Sequence, residues 1–113
     1  MSYLSKIILA KEQIMKKYQK ELDDWMKSQK WEYWTPHEIT VRLMEETGEF
    51  ARLVNHIWGP KKKKATEAEQ NLEDEIGDIL YTLICFANSN DLDLDRAIEK
   101  SMAKVIKRDK NRY

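Results

Sequence analysis

Turn-forming residues are scarce in this chain, with three glycines and two prolines in 113 residues. Strand-rich domains need many turns, and turns draw on Gly, Pro and Asn, so an all-β fold is excluded. Cysteine is scarcer still: a lone Cys85 cannot close an internal disulfide, which suits a reducing cytoplasm. Cys85 lies in the apolar run from Leu80 to Ala87 and reads as a small hydrophobe rather than a nucleophile. No apolar run approaches the ~20 residues needed to span a bilayer, so no membrane partner is expected. The stretch from Met1 to Ala10 lacks the long apolar segment and small-residue cleavage site of a signal peptide. Charge of one sign is also missing, because 20 Lys+Arg balance 20 Asp+Glu, and this disfavours a nucleic-acid partner.

What is present is 42% apolar residues, including four tryptophans, enough for the core of one domain over 1–113 and too little for two. The apolar spacing is helical. Leu4, Ile7, Ile8, Met15, Tyr18, Leu22, Trp25 and Met26 make one stripe on a helix predicted from Leu4 to Gln29. This N-terminal helix fills 1–30 and leaves 31–113 as the region that carries the motifs. After an aromatic break containing Trp31, Tyr33 and Trp34, the Thr35-Pro36-His37-Glu38 capping box opens a second helix to about Ile57, closed by Gly59-Pro60. A basic loop, Lys61 to Lys64, precedes a second capping box, Thr66 to Glu69, which predicts a third helix to about Asn88. Asp91 or Asp93 is the expected cap of a fourth helix, which turns basic toward its end. Short connections between four helices predict an all-α, four-helix antiparallel bundle completed by oligomerisation.

The acids are the informative feature. Glu46 and Glu49 are i,i+3 beside the apolar stripe of the second helix, and Glu75 and Asp78 repeat that pattern on the third. Carboxylates next to a core are costly to desolvate unless something positive compensates. Two such pairs facing one another repel, and a divalent cation removes the repulsion; an all-oxygen ligand set favours Mg²⁺ or Mn²⁺ over Zn²⁺. A solvated acidic surface is the competing reading, since Glu73 and Asp74 lie close by. A di-iron centre fails on ligands: it needs Glu-x-x-His on two helices, whereas Trp34 and Leu53 precede His37 and His56 by three positions. Magnesium binds phosphate oxygens, so a phosphate substrate and metal-assisted hydrolysis or transfer form the indicated reaction class.

Glu45-Glu46-Thr47-Gly48-Glu49 matches Glu-Glu-x-x-Glu, and Glu75-Ile76-Gly77-Asp78 matches Glu-x-x-Asp, 29 residues on from Glu46 to Glu75. Order, spacing and helical setting resemble the MazG-like all-α nucleoside triphosphate pyrophosphohydrolases. Trp58, the Asp78-Ile79-Leu80-Tyr81 continuation and the Asp93–Ala97 helix start extend the likeness over Trp31 to Tyr113. The resemblance implies hydrolysis of (deoxy)nucleoside triphosphates between the α- and β-phosphates, to a nucleoside monophosphate and pyrophosphate, and a place in nucleotide-pool house-cleaning. It implies Mg²⁺, with Mn²⁺ as a substitute, held by Glu46, Glu49, Glu75 and Asp78. Glu45 and Glu46 carry the catalytic role, Glu45 by binding a further metal or orienting water. It further implies a homo-oligomer, dimer or tetramer.

Lys100, Lys104, Arg108 and Arg112 form one basic stripe on the last helix, and of these Lys104 and Arg108, with Lys100, are the candidates for phosphate contact. Cations at a helix C-terminus are also ordinary. Trp34 and Trp58 are the candidates for stacking on a base; as aromatics near helix ends they also suit a staple or an interface. A phosphoribosyl-ATP pyrophosphohydrolase-like enzyme and a helical protein-interaction module are the alternative functions.

Overall fold

The computed structural model describes residues 14–60 and 71–110. Four helices, α1 (Ile14–Ser28), α2 (Pro36–Trp58), α3 (Leu72–Ser89) and α4 (Leu94–Lys110), account for 84% of the described residues, and no strand occurs among them. The expected all-α class is what the chain adopts.

Local chemistry sets each boundary. The Thr35 hydroxyl accepts the Glu38 amide at 3.3 Å and the Glu38 carboxylate accepts the Thr35 amide at 3.0 Å, so the capping box opens α2 as the sequence predicts. At its end the Gly59 amide donates to the Asn55 carbonyl at 2.8 Å, and a Cβ on Gly59 would run into the Asn55 oxygens. The third helix differs from expectation. It begins at Leu72, where the Asn71 side chain accepts the Asp74 amide at 2.8 Å. The predicted box at Thr66 to Glu69, like the lysine loop, lies outside the described residues. Asp93 rather than Asp91 caps α4, accepting the Arg96 amide at 3.1 Å. Asp91 instead takes a left-handed conformation (φ 54°) in the turn after α3, as Lys30 does (φ 58°) after α1. At Lys30 the Trp31 amide reaches back to the Met26 carbonyl and Trp31 stacks edge-on against Trp25, centroids 6.2 Å apart: a Schellman ending with its hydrophobic contact.

The part of the predicted first helix before Ile14 lies outside the described residues. The amides of Met15 and Lys16 donate to the two carboxylate oxygens of Asp95 at 2.8 Å each, so these α1 donors are capped by a residue 80 positions away. Leu4, Ile7 and Ile8 lie outside the described residues.

Contacts give the topology. Ile39 and Arg42 of α2 share a cleft with Tyr81, Thr82 and Cys85 of α3, while Glu46 meets Glu75 and Asp78. The pairing runs in opposite chain directions, so α2 and α3 are antiparallel. Met26 of α1 faces Tyr81 and Cys85, and Gln19 bonds Asn88, so α1 is antiparallel to α3 as well. A polar network ties the ends together. Asn88 donates to the Gln19 carbonyl (2.8 Å) and to the Tyr33 hydroxyl (2.9 Å), and Gln19 bonds the Leu92 carbonyl and the Leu94 amide.

The core among the described residues is thin. Ile39, Leu53 and Ala87 are the buried apolar residues, matched by four buried polar ones, Glu46, Glu75, Thr82 and Asp95. Beyond Asp95, α4 leaves Ile98, Met102, Val105 and Ile106 exposed. The radius of gyration is 17.9 Å, against ~13 Å for a compact chain of ~100 residues. Asp95→Ala leaves two helix-start amides without acceptors. Urea denaturation at fixed protein concentration is expected to show a loss of about 2 kcal/mol.

Candidate metal centre

Helical spacing builds the acidic cluster in two halves. On α2, Glu46 and Glu49 are one turn apart; on α3, Glu75 and Asp78 are likewise, and antiparallel packing sets the pairs against each other. Glu46 and Glu75 are each only 3% exposed, whereas Glu45, Glu49 and Asp78 are exposed. One oxygen from each of Glu46, Glu75 and Asp78 can be chosen so that all lie within 4.8 Å of one another. Glu49 stands at the edge of this trio, near enough for its charge to oppose ionisation of both buried acids.

Burial raises the pKa of Glu46 and of Glu75, and the neighbouring carboxylates push both further up. Arg42 opposes the rise at Glu46: its Nη2 donates to Oε1 at 2.7 Å, and its Nη1 lies 3.8 Å from Oε2 of Glu45. The second oxygens, Oε2 of Glu46 and Oε2 of Glu75, are buried without a hydrogen-bond partner. Two buried acids, each with an unpartnered oxygen, gathered with a third acid match the needs of a hard divalent cation. Thr82, buried one turn after Asp78, donates to the Asp78 carbonyl at 2.8 Å.

A cleft of about 380 Å³ opens beside the acids, walled by Trp31, Trp34, Ile39, Tyr81 and Cys85, with Arg42 at the border of the two. Burial raises the Cys85 thiol, which keeps it protonated and agrees with its reading as a non-nucleophile. Trp34 is on this cleft. Trp58 is not: it stands twelve residues past Glu46, near the far end of α2, 69% exposed. Lys100, Lys104 and Arg108 are exposed on α4, which packs chiefly on α1, and Arg108 bonds Asp109 at 3.0 Å. Among the described residues, no hydrogen bond or ion pair joins these three to the acids. Arg112 lies outside them. Sequence reasoning missed Arg42, although its position four residues before Glu46, on the same helix face, was a usable signal.

Residues 34–113 match the model of the MazG nucleotide pyrophosphohydrolase domain. The chain belongs to the MazG nucleotide pyrophosphohydrolase family. The YpjD protein of Bacillus subtilis (strain 168) is 46% identical over 99 residues, 88% of this chain and 89% of the relative. A crystal structure of YpjD from the same organism superposes with a TM-score of 0.72 at 44% identity, covering 80% of this chain and 91% of that one. The Bacillus-conserved MazG protein, a nucleotide pyrophosphohydrolase, gives a TM-score of 0.68 at 41% identity, covering 80% and 87%. MazG membership makes this chain a hydrolase of the nucleotide pyrophosphohydrolase class. MazG-like enzymes generally use divalent metals, and the acidic cluster has the donors for one. No helix among the described residues is long and apolar enough to cross a membrane.

A carboxyl whose pKa rises on folding favours the fold while protonated, and that contribution is lost as pH climbs through the raised value. Glu75→Gln removes the disfavoured charge. We expect it to raise the melting temperature of EDTA-treated protein at about pH 7, with a gain that shrinks toward about pH 4, where Glu75 is protonated in the wild type. Thermal scans at the two pH values check this.

Proposed function

We propose that the protein hydrolyses (deoxy)nucleoside triphosphates between the α- and β-phosphates in a Mg²⁺-dependent reaction, with Mn²⁺ able to substitute. The observation that carries this is the gathering of Glu46, Glu75 and Asp78, the first two buried and each with an unpartnered oxygen, at a site bordered by an aromatic cleft. Glu46, Glu49, Glu75 and Asp78 hold the cation. The chemistry supplied by a divalent cation held there is charge neutralisation on the phosphates and acidification of water.

Water attacks the α-phosphorus, the bond to the bridging oxygen breaks, and pyrophosphate leaves with that oxygen. Exposed Glu45, next to Glu46 and at the edge of the cluster, accepts a hydrogen bond from the attacking water and orients it. The cleft takes the nucleobase, with Trp34 as a stacking wall. Phosphate contact by Lys100, Lys104 and Arg108, and base contact by Trp58, rest on the sequence alone.

The active species is a homo-oligomer. Support comes from the thin core and from the exposed apolar residues of α4, which no described part of the chain covers. Light scattering at micromolar concentration is expected to give at least twice the chain mass; a monomer overturns this part of the reading. Pyrophosphate release from a panel of ribo- and deoxyribonucleoside triphosphates tests the activity. Turnover is expected with Mg²⁺ and not with EDTA, and Glu46→Gln or Glu75→Gln is expected to lower it by about a hundredfold or more while helical content is kept. Full activity in both variants, or the same rate in EDTA, rejects the assignment.

A further inference from the structure

Arg42 belongs to two places at once. Its Nη2 donates to Glu46 Oε1 at 2.7 Å, while its side chain lines the aromatic cleft beside Trp34 and Tyr81. The two ends of the ion pair are unequal, since the guanidinium is 51% exposed and Glu46 is 3% exposed. The pair also satisfies only one oxygen of Glu46; Oε2 stays buried and unpartnered, on a carboxylate that lies within reach of Glu75 and Asp78.

Arg42 is thus a cation that the acids already hold, placed against the same carboxylate that a divalent ion would take. Two cations on one carboxylate oppose each other. The ion bound by several carboxylates keeps its place, and the half-exposed guanidinium is the one free to turn, with the cleft on its other side. A guanidinium is a planar fork of donors suited to phosphate oxygens. We propose that Arg42 is an exchangeable counter-ion. It compensates Glu46 while the cluster lacks its divalent cation, and it turns to the nucleotide's phosphates when cation and nucleotide bind together. This rests on reading the cluster as the metal-dependent nucleotide site, and it adds to that reading a phosphate-binding residue on α2.

The signature is a pair of effects with opposite signs. Mn²⁺ alone is titrated into wild type, Arg42→Gln, Arg42→Lys and Glu75→Gln by electron paramagnetic resonance. The Mn²⁺–tripolyphosphate complex, which carries no base or sugar, is titrated calorimetrically. Arg42→Gln is expected to bind Mn²⁺ alone about threefold more tightly, because a competing charge is gone. It is expected to bind Mn²⁺–tripolyphosphate about tenfold more weakly, through the lost charge-assisted hydrogen bonds. Arg42→Lys keeps the charge and is expected to restore most of the metal term while recovering less of the phosphate term. Arg42→Met provides the same comparison should the glutamine variant not fold.

Weaker Mn²⁺ binding in Arg42→Gln makes Arg42 a fixed prop for Glu46 and overturns the proposal, as does unchanged tripolyphosphate affinity. If wild type binds no Mn²⁺, or Glu75→Gln binds it as well as wild type, the metal reading itself fails and the Arg42 inference falls with it. Mn²⁺ binding that depends on Glu75 but is indifferent to Arg42 defeats the Arg42 inference alone.

Discussion

Two carboxylates are buried side by side with one oxygen of each left unpaired, and the rest of the structure is arranged around that cost. An ionised carboxyl out of water needs a cation, hydrogen bonds or a proton. Glu46 has a partial answer in Arg42, and Glu75 has carboxylate neighbours that make its position worse. Such an arrangement makes sense where a divalent cation completes the site. In a family of nucleotide pyrophosphohydrolases the unpaired oxygens then read as binding capacity rather than as a packing fault. Antiparallel packing of α2 and α3 is what allows it, since the i,i+3 pair of one helix then lies against that of the other.

Few apolar residues are fully buried among the described residues, and polar contacts at the helix ends help to set how the helices meet. Asp95 reaches back from α4 to satisfy the first amides of α1, and Asn88, Gln19 and Tyr33 link α3, α1 and the segment before α2. These are directional contacts that fix the angle and register of each helix, which burial of a few aliphatic side chains cannot do. Among the described residues, the outer apolar side chains of α4 remain exposed.

Function follows from adjacency. The acids and an aromatic-walled cleft are joined through Arg42, which lines the cleft and pairs with Glu46. Under the proposed function, phosphate chemistry would lie next to a surface suited to a flat ring, with one guanidinium between the two. The cleft also separates the two tryptophans singled out from the sequence, since Trp34 lines it and Trp58, exposed at the end of α2, does not.

Periodicity and capping were legible without coordinates. The spacing of Leu43, Glu46, Glu49 and Phe50, and of Leu72, Glu75, Ile76 and Asp78, put acids beside apolar stripes, and Thr35 to Glu38 marked the start of α2, because these are interactions over three or four residues of one helix. The partner of the Met15 and Lys16 amides was not legible, since it is Asp95, and contacts between residues 80 apart leave no local pattern. Nor was the true start of α3, where Asn71 does the capping although a stronger local motif precedes it in sequence. The chain by itself therefore determined which side chains can share a helix face. Only the tertiary structure decided that Glu46 and Glu75 are buried while Glu45 and Glu49 are exposed, and that Arg42 bridges acids and cleft, because burial and cross-helix distance depend on how separate helices meet.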